Sequence, residues 1–236
     1  MSHNRPSQDS AAKTTAASAL KRLVQPSGKV INPLVMVETA FLASTSSLIW
    51  LINYYFPLGP LLRIFFPIPI ALAYLRWGKR TAWMTTLVTG LLLSVLMGPP
   101  RSLQFLIPYG VLGIVLGGLW RRRVSWLVSM AWGTMVGSLG FFCQIMLVSL
   151  LLGENLWRYS TAQVTNLAEW LFVKLGLLAQ PDLLIVQVIA AGMIVITTIS
   201  YLLVVHLAAW LLLDRLGNPI PPPPVWLQVL LDHEEV

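Results

Sequence analysis

Residues 103–123 read LQFLIPYGVLGIVLGGLWRRR, and the nature of this stretch decides the fold. Leu103 to Trp120 gives eighteen residues without a charge, and Arg121-Arg122-Arg123 closes the run. As a helix rising about 1.5 Å per residue, such a run nearly matches a hydrocarbon core about 30 Å thick. A cationic cluster at one end is the mark of a crossing anchored on its inner side. A buried helix of a soluble protein has no need of either feature.

The same pattern continues in both directions. Upstream, a span over about Thr81–Met97 stops at Gly98-Pro99-Pro100. A shorter one over about Leu61–Leu75 is interrupted by Pro67-Ile68-Pro69. The first runs from about Leu34 to Phe56 and ends in the turn Pro57-Leu58-Gly59-Pro60, since proline cannot continue a helix. Downstream lie long runs over about Val124–Leu152 and Leu183–Leu213, each longer than a perpendicular crossing requires. The chain is 56% hydrophobic and 11% charged, far from the roughly 45–50% and 25% of soluble domains. Its mean hydropathy is +0.74. The expected architecture is therefore an all-α polytopic transmembrane bundle of about six helices over residues 34–213. A polar N-terminal tail occupies 1–33, and a proline-rich C-terminal tail carrying Pro221–Pro224 occupies 214–236.

Between the fifth and sixth spans, Val164, Leu167, Ala168, Leu171, Phe172 and Leu175 recur at helical spacing beside Arg158, Glu169 and Lys174. This segment reads as an interfacial amphipathic helix, because Glu169 and Lys174 at the centre of a seventh crossing would be costly in lipid.

The +7 net charge is arranged as topology signals. The basic residues form short clusters between apolar runs instead of one exposed face, which argues against nucleic acid as a partner. With the N-terminus inside, twelve of the sixteen lysines and arginines fall on the inner side and four on the outer: Arg63, Arg101, Arg158 and Lys174. Six crossings with both termini cytoplasmic follow, in a plasma (inner) membrane or another internal membrane. A polar start with no small-residue cleavage signal makes a removable leader unexpected. Cys143, the single cysteine, can form no internal disulfide.

Candidate chemistry is sparse. His3, His206 and His233 lack metalloprotease spacing, Gly137-Ser138-Leu139-Gly140 does not match a nucleophile elbow, and no phosphate-cradling loop with its lysine is present. An enzyme is not expected, nor any metal or cofactor, and ATP-driven work would need another subunit. Within the spans, His206 reads either as a proton-relay group or as a histidine hydrogen-bonded between helices. Glu38 reads as snorkelling or paired with Lys29, or as ion-coupling. Gly113 with Gly117 and Gly133 with Gly137 read as internal helix packing. The stripe Ala40, Ala43, Ser44 and Ser47 on the first span reads as packing or as a docking face for another membrane protein.

At the outer ends, Asn53, Tyr54 and Tyr55 close the first span, Arg63 begins the second, Arg101 and Gln104 open the fourth, and Trp157, Arg158 and Tyr159 follow the fifth. Converging at one mouth, these groups would form a small-molecule pocket; scattered, they are an interfacial aromatic belt. Pro67-Ile68-Pro69 is either a plain kink or the break of a helix lining a solute site.

The stretch Phe65-Phe66-Pro67-Ile68-Pro69-Ile70-Ala71-Leu72, followed by Leu75-Arg76-Trp77-Gly78 and by Gly110 to Gly118 before the arginines, resembles the YybS-like family of bacterial integral membrane proteins. The likeness spans residues 35–213. That family is in turn distantly similar to the substrate-binding S components of energy-coupling-factor (ECF) transporters, six-helix proteins that capture vitamins or metal ions. The resemblance implies a solute-binding subunit working with a transmembrane coupling protein and two cytoplasmic ATPases. Ala40, Ala43, Ser44 and Ser47 would form part of the coupling contact. The alternative is a non-catalytic scaffold or assembly factor packing against other membrane proteins.

Overall fold

The computed structural model describes residues 33–56, 60–153 and 183–222, with the single positions 156, 161, 164 and 165. The amphipathic segment read at 154–182 falls almost wholly outside these residues, as do most of the N-terminal tail and the end of the C-terminal one. Residues 37–236 form one compact unit; residues 1–36 form another, whose described part is the opening of the first helix.

The described elements are helical. They are α1 (Pro33–Tyr55), α2 (Pro60–Arg63), α3 (Ile68–Trp77), α4 (Lys79–Met97), α5 (Pro99–Arg121), α6 (Trp126–Leu152) and α7 (Leu183–Arg215). Helices α1, α4, α5, α6 and α7 are long and apolar enough to cross a membrane. The all-α polytopic bundle expected from hydropathy is the observed architecture. Its lipid-facing surface is plain in the side chains: Leu150 is 84% exposed and Leu127 75%, both on α6, with Phe41, Leu91, Val95 and Ile196 turned outward on other helices. Apolar exposure on this scale is sustained by lipid, not by water.

The second expected span is corrected. Leu61–Leu75 is not one helix but two pieces, the single turn α2 and the ten-residue α3, separated by a turn at 64–67. Proline chemistry explains the break. Pro67 takes the N-cap of α3 and Pro69 lies within its first turn, where a missing N–H costs nothing. At about 1.5 Å per residue α3 covers only about half of the hydrocarbon core. Such a fragment survives at depth because protein surrounds it: Ile68 to Ala73 are all buried, and α3 packs on α4 and α5.

Glycines set how closely these helices approach. A Cβ at Gly113 would lie 2.8 Å from the Pro67 carbonyl, and one at Gly117 would lie 2.9 Å from the Ala71 carbonyl and 2.6 Å from Tyr74 Cβ. Gly133 faces Leu202 and Gly137 faces Thr198 on α7. All four glycines serve packing within the chain. Against α1, α4 uses hydroxyls as well: Thr89 Oγ1 reaches both the Thr85 carbonyl (2.8 Å) and the Ala43 carbonyl (3.4 Å), and Ser47 donates back to the Ala43 carbonyl at 2.9 Å. Bonding within the helix satisfies a hydroxyl in lipid, while its small size lets backbones meet.

The basic loops gather at one end. Arg121 Nη1 donates to the Tyr74 carbonyl at 3.0 Å and crosses over Gly78, whose φ of +93° only glycine adopts easily. Arg76 pairs with Glu38 near the start of α1. Ile220, five residues past the end of α7, joins the core cluster that holds Trp120 and Leu213. Arg76, Lys79, Arg80, Arg121–Arg123 and Arg215 thus share an end. Arg101, with the sharp α4–α5 turn at Gly98 (φ +90°), lies at the other.

Candidate functional site

A cavity of about 700 Å³ lies between α6 and α7, bounded by the middle of α5 and by Arg63 and Ile64 at the break in the second span. Its construction begins with Pro108. Proline in a helix interior clashes with the carbonyl four residues earlier, and here the backbone widens into a turn of π-helix over Leu106–Gly110. The widened turn presses against α6 where Gly140 makes room, since a Cβ there would lie 3.0 Å from Pro108 Cα. It presents Tyr109 to the space beside it.

Tyr109 belongs to an aromatic wall. Its ring is 4.9 Å from Phe66, 5.7 Å from Trp50 and 6.4 Å from Tyr201, centroid to centroid, joining α1, α5, α7 and the turn before α3. Tyr201 closes the wall by donating its hydroxyl to the main-chain carbonyl of Arg63 at 3.0 Å. That bond fixes the turn after α2 and leaves the Arg63 guanidinium free of hydrogen-bond or ion-pair partners among the described residues.

From α7 the lining residues Ala190, Met193, Ile194, Thr197, Tyr201 and Val204 fall at helical spacing, and from α6 so do Gly137, Phe141, Gln144 and Ile145. The walls are mainly apolar. Tyr109, Gln144, Thr197 and Ser200 offer side-chain hydrogen-bonding groups uncommitted among the described residues, and Arg63 is the one charged lining residue among them. This is the make-up of a small-molecule pocket: apolar walls, a few polar anchors, and a volume within the usual range of about 300–1,000 Å³.

The residues expected to converge at one mouth are divided. Arg63 lines the cavity. Arg101 instead stacks over the Tyr54 ring, its Cζ 3.7 Å from the centroid, a cation–π contact between the end of α1 and the start of α5. Tyr55 packs edge-on against Tyr54. Asn53 and Gln104 are half-buried and line no part of the cavity. Trp157, Arg158 and Tyr159 lie outside the described residues. Tyr109, Gln144, Thr197, Ser200 and Tyr201 were missed, although the spacing of Thr197, Ser200 and Tyr201 puts polar groups on one stripe of the otherwise apolar α7.

His206 is fully buried and links helices. Its Nδ1 is 2.9 Å from the Leu202 carbonyl and its Nε2 2.9 Å from Ser129 Oγ on α6. A carbonyl only accepts, so Nδ1 carries the proton, and the neutral ring accepts from Ser129. Trp120 and Trp126 flank the ring edge-on at 5.3 and 5.4 Å. Glu38 is held by Arg76 and by Trp77 Nε1, which donates at 2.6 Å; Lys29, the partner expected from the sequence, lies outside the described residues. The small-residue stripe of α1 splits. Ala43 and Ser47 are buried against α4, while Ala40 and Ser44 are exposed. Among the described residues no three His, Cys, Asp or Glu side chains cluster as a metal site would need.

Comparison with known proteins gives one family. A family model described as "Predicted membrane protein (DUF2232)" matches residues 44–230, which include α3 to α7, the cavity and most of α1. No curated protein and no solved structure matches the chain.

Proposed function

We propose that this chain, which belongs to the DUF2232 family of predicted membrane proteins, is a solute-binding subunit that holds a small molecule in the α6–α7 cavity and draws energy from partner ATPases. The cavity carries the reading: about 700 Å³ at membrane depth, walled by apolar side chains and supplied with Arg63, Tyr109 and Gln144 as polar anchors. A helix broken inside the bilayer, contributing Arg63 and Ile64 to that cavity, adds support, because irregular backbone at depth is tolerated where it is packed by protein or lines a cavity. The sequence has no phosphate-cradling motif, so on this reading energy coupling falls to other subunits, in keeping with the distant resemblance to ECF S components read from the sequence. The proposed orientation places the arginine-rich end in the cytoplasm of a bacterial inner membrane.

Purification of the full chain in lipid nanodiscs, followed by native mass spectrometry, tests the reading. A retained small molecule is expected, and Ile194→Trp, which fills the cavity from α7, should lose it while remaining monodisperse. Retention of the same molecule by the filled variant would remove the cavity from consideration.

One observation favours the scaffold alternative. Ala40 and Ser44 leave a flat, exposed strip on α1 where another helix could lie close. Bulky replacements there would abolish co-purification of a membrane partner without touching the retained solute; on the scaffold reading no solute is found and the partner remains.

A further inference from the structure

We propose that the cavity ligand is an amphiphile bearing a single anionic group on a long apolar body, with Arg63 as the residue that binds the anion. This rests on the solute-binding reading and names the class of molecule that the site takes.

The charge balance of the site is the first ground. Arg63 is the one charged residue among the described lining residues, and no acidic side chain accompanies it there. Arg63 is exposed, and its guanidinium has no hydrogen-bond or ion-pair partner among the described residues, whereas Arg76 is engaged with Glu38, Arg101 with Tyr54 and Arg121 with the Tyr74 carbonyl. A guanidinium beside a low-dielectric cavity gains most from an anion that it can grip through two parallel N–H bonds. Among the described lining residues nothing offsets the repulsion that a cationic ligand would meet.

Shape and position form the second ground. The lining runs along α7 from Ala190 to Val204, about 21 Å at 1.5 Å per residue. Pro108, Leu112, Phe141, Ile145, Met193 and Ile194 are among its apolar lining residues. Hydroxyls and an amide from Tyr109, Gln144, Thr197 and Ser200 supply only scattered neutral contacts. A compact, polyhydroxylated or multiply charged solute would leave most of that wall unmatched; a chain with one charged head uses it. The lining residues Phe141, Met193 and Val204 are exposed, which is the accessibility that an entering apolar chain needs.

Photocrosslinking provides the test, using full-length protein in phosphatidylcholine nanodiscs and three probes that share one diazirine-bearing hexadecyl chain but end in a carboxylate, an amine or an alcohol. The expected result is saturable labelling of Phe141, Met193 or Ile194 by the carboxylate probe, competed by palmitate, with the amine probe excluded. Arg63→Gln should weaken that labelling about tenfold or more, and Arg63→Glu should turn the preference toward the amine. Both substitutions preserve the main-chain carbonyl that Tyr201 binds, and the palmitate competition needs no variant at all. Equal labelling by all three probes, or labelling indifferent to Arg63, overturns the anion while leaving a solute-binding cavity. If no probe labels the cavity saturably, the amphiphile is overturned; a molecule still retained in native mass spectrometry shows that the solute-binding reading outlives it. Nanodiscs containing phosphatidylglycerol separate two sources of the same chemistry. Labelling suppressed there identifies an anionic bilayer lipid as ligand, and labelling unchanged identifies a free amphiphile.

Discussion

At the scale of single residues, the polar groups within the spans differ in how they are satisfied: the hydroxyls of Ser46 and Ser138 and the indole N–H groups of Trp50, Trp120 and Trp126 are buried with no hydrogen-bond partner among the described residues, whereas His206 is fully partnered. His206 accepts from Ser129 and donates to the Leu202 carbonyl, a satisfied arrangement that leaves it no spare proton site. Hydrogen bonds between membrane helices are worth about 0.6 kcal/mol on average and about 1.7 at most. A double-mutant cycle of Ser129→Ala and His206→Leu, followed by detergent unfolding, should therefore return a coupling within that range; a value near zero would show that the contact does not form in the bilayer. Glu38 illustrates a weaker tie. Glu38→Gln removes the ion pair with the half-exposed Arg76 yet can still accept from Trp77, so its expected cost is below about 1 kcal/mol. Glu38→Leu, which strands Trp77 Nε1 as well, should cost more than Glu38→Gln in the same unfolding assay. His206 and Glu38 were both recognisable in the sequence as polar residues within apolar spans. Their partners were not, because Ser129 and Arg76 lie 77 and 38 residues away.

Among the elements, α3 has the least support of its own and the most from its neighbours. Ten residues cannot cross the bilayer, and their stability comes from contact with α5 at Gly113 and Gly117. Gly117→Ala should destabilise the protein by about 1–3 kcal/mol through overpacking, because its Cβ would meet the Ala71 carbonyl at 2.9 Å and Tyr74 Cβ at 2.6 Å. Gly192→Ala on α7 is the matched control. No atom of the described residues lies within 4 Å of that Cβ, so better helix propensity should leave stability unchanged or raised by up to about 1 kcal/mol. Thermal unfolding of the two variants side by side distinguishes a packing glycine from a tolerated one. The sequence showed both as glycines in apolar runs. It showed Pro67-Ile68-Pro69 as an interruption, too, but whether the helix kinks or stops depends on whether protein or lipid faces the freed backbone, and that is a tertiary fact.

For the whole molecule, the arrangement of its ends is the testable property. In a Cys143→Ser background, a cysteine placed at Arg122 and one placed at Pro99 should react with a membrane-impermeant maleimide from opposite sides of the membrane, with Arg122 on the cytoplasmic side. Labelling of both from the same side would break the assignment of the α5 crossing. Hydropathy and charge placement were enough to read the membrane environment, the helical class and the common end of the arginine clusters, because each rests on local quantities: length against bilayer thickness, and cation against membrane side. Of the six crossings expected, five are helices long and apolar enough to span, and the second is two short pieces. The cavity was not readable in that way. Arg63 was marked as a candidate, but the sequence grouped it with Arg101 and Tyr54, which the fold pairs with each other. Tyr109 reaches the cavity only because Pro108 widens one turn of α5 against Gly140, and Gln144, Thr197 and Ser200 reach it only because α6 and α7 lie side by side. An apolar run states that its side chains will avoid water. Which of them face lipid, which face another helix and which face a ligand is decided by packing between segments far apart in the chain.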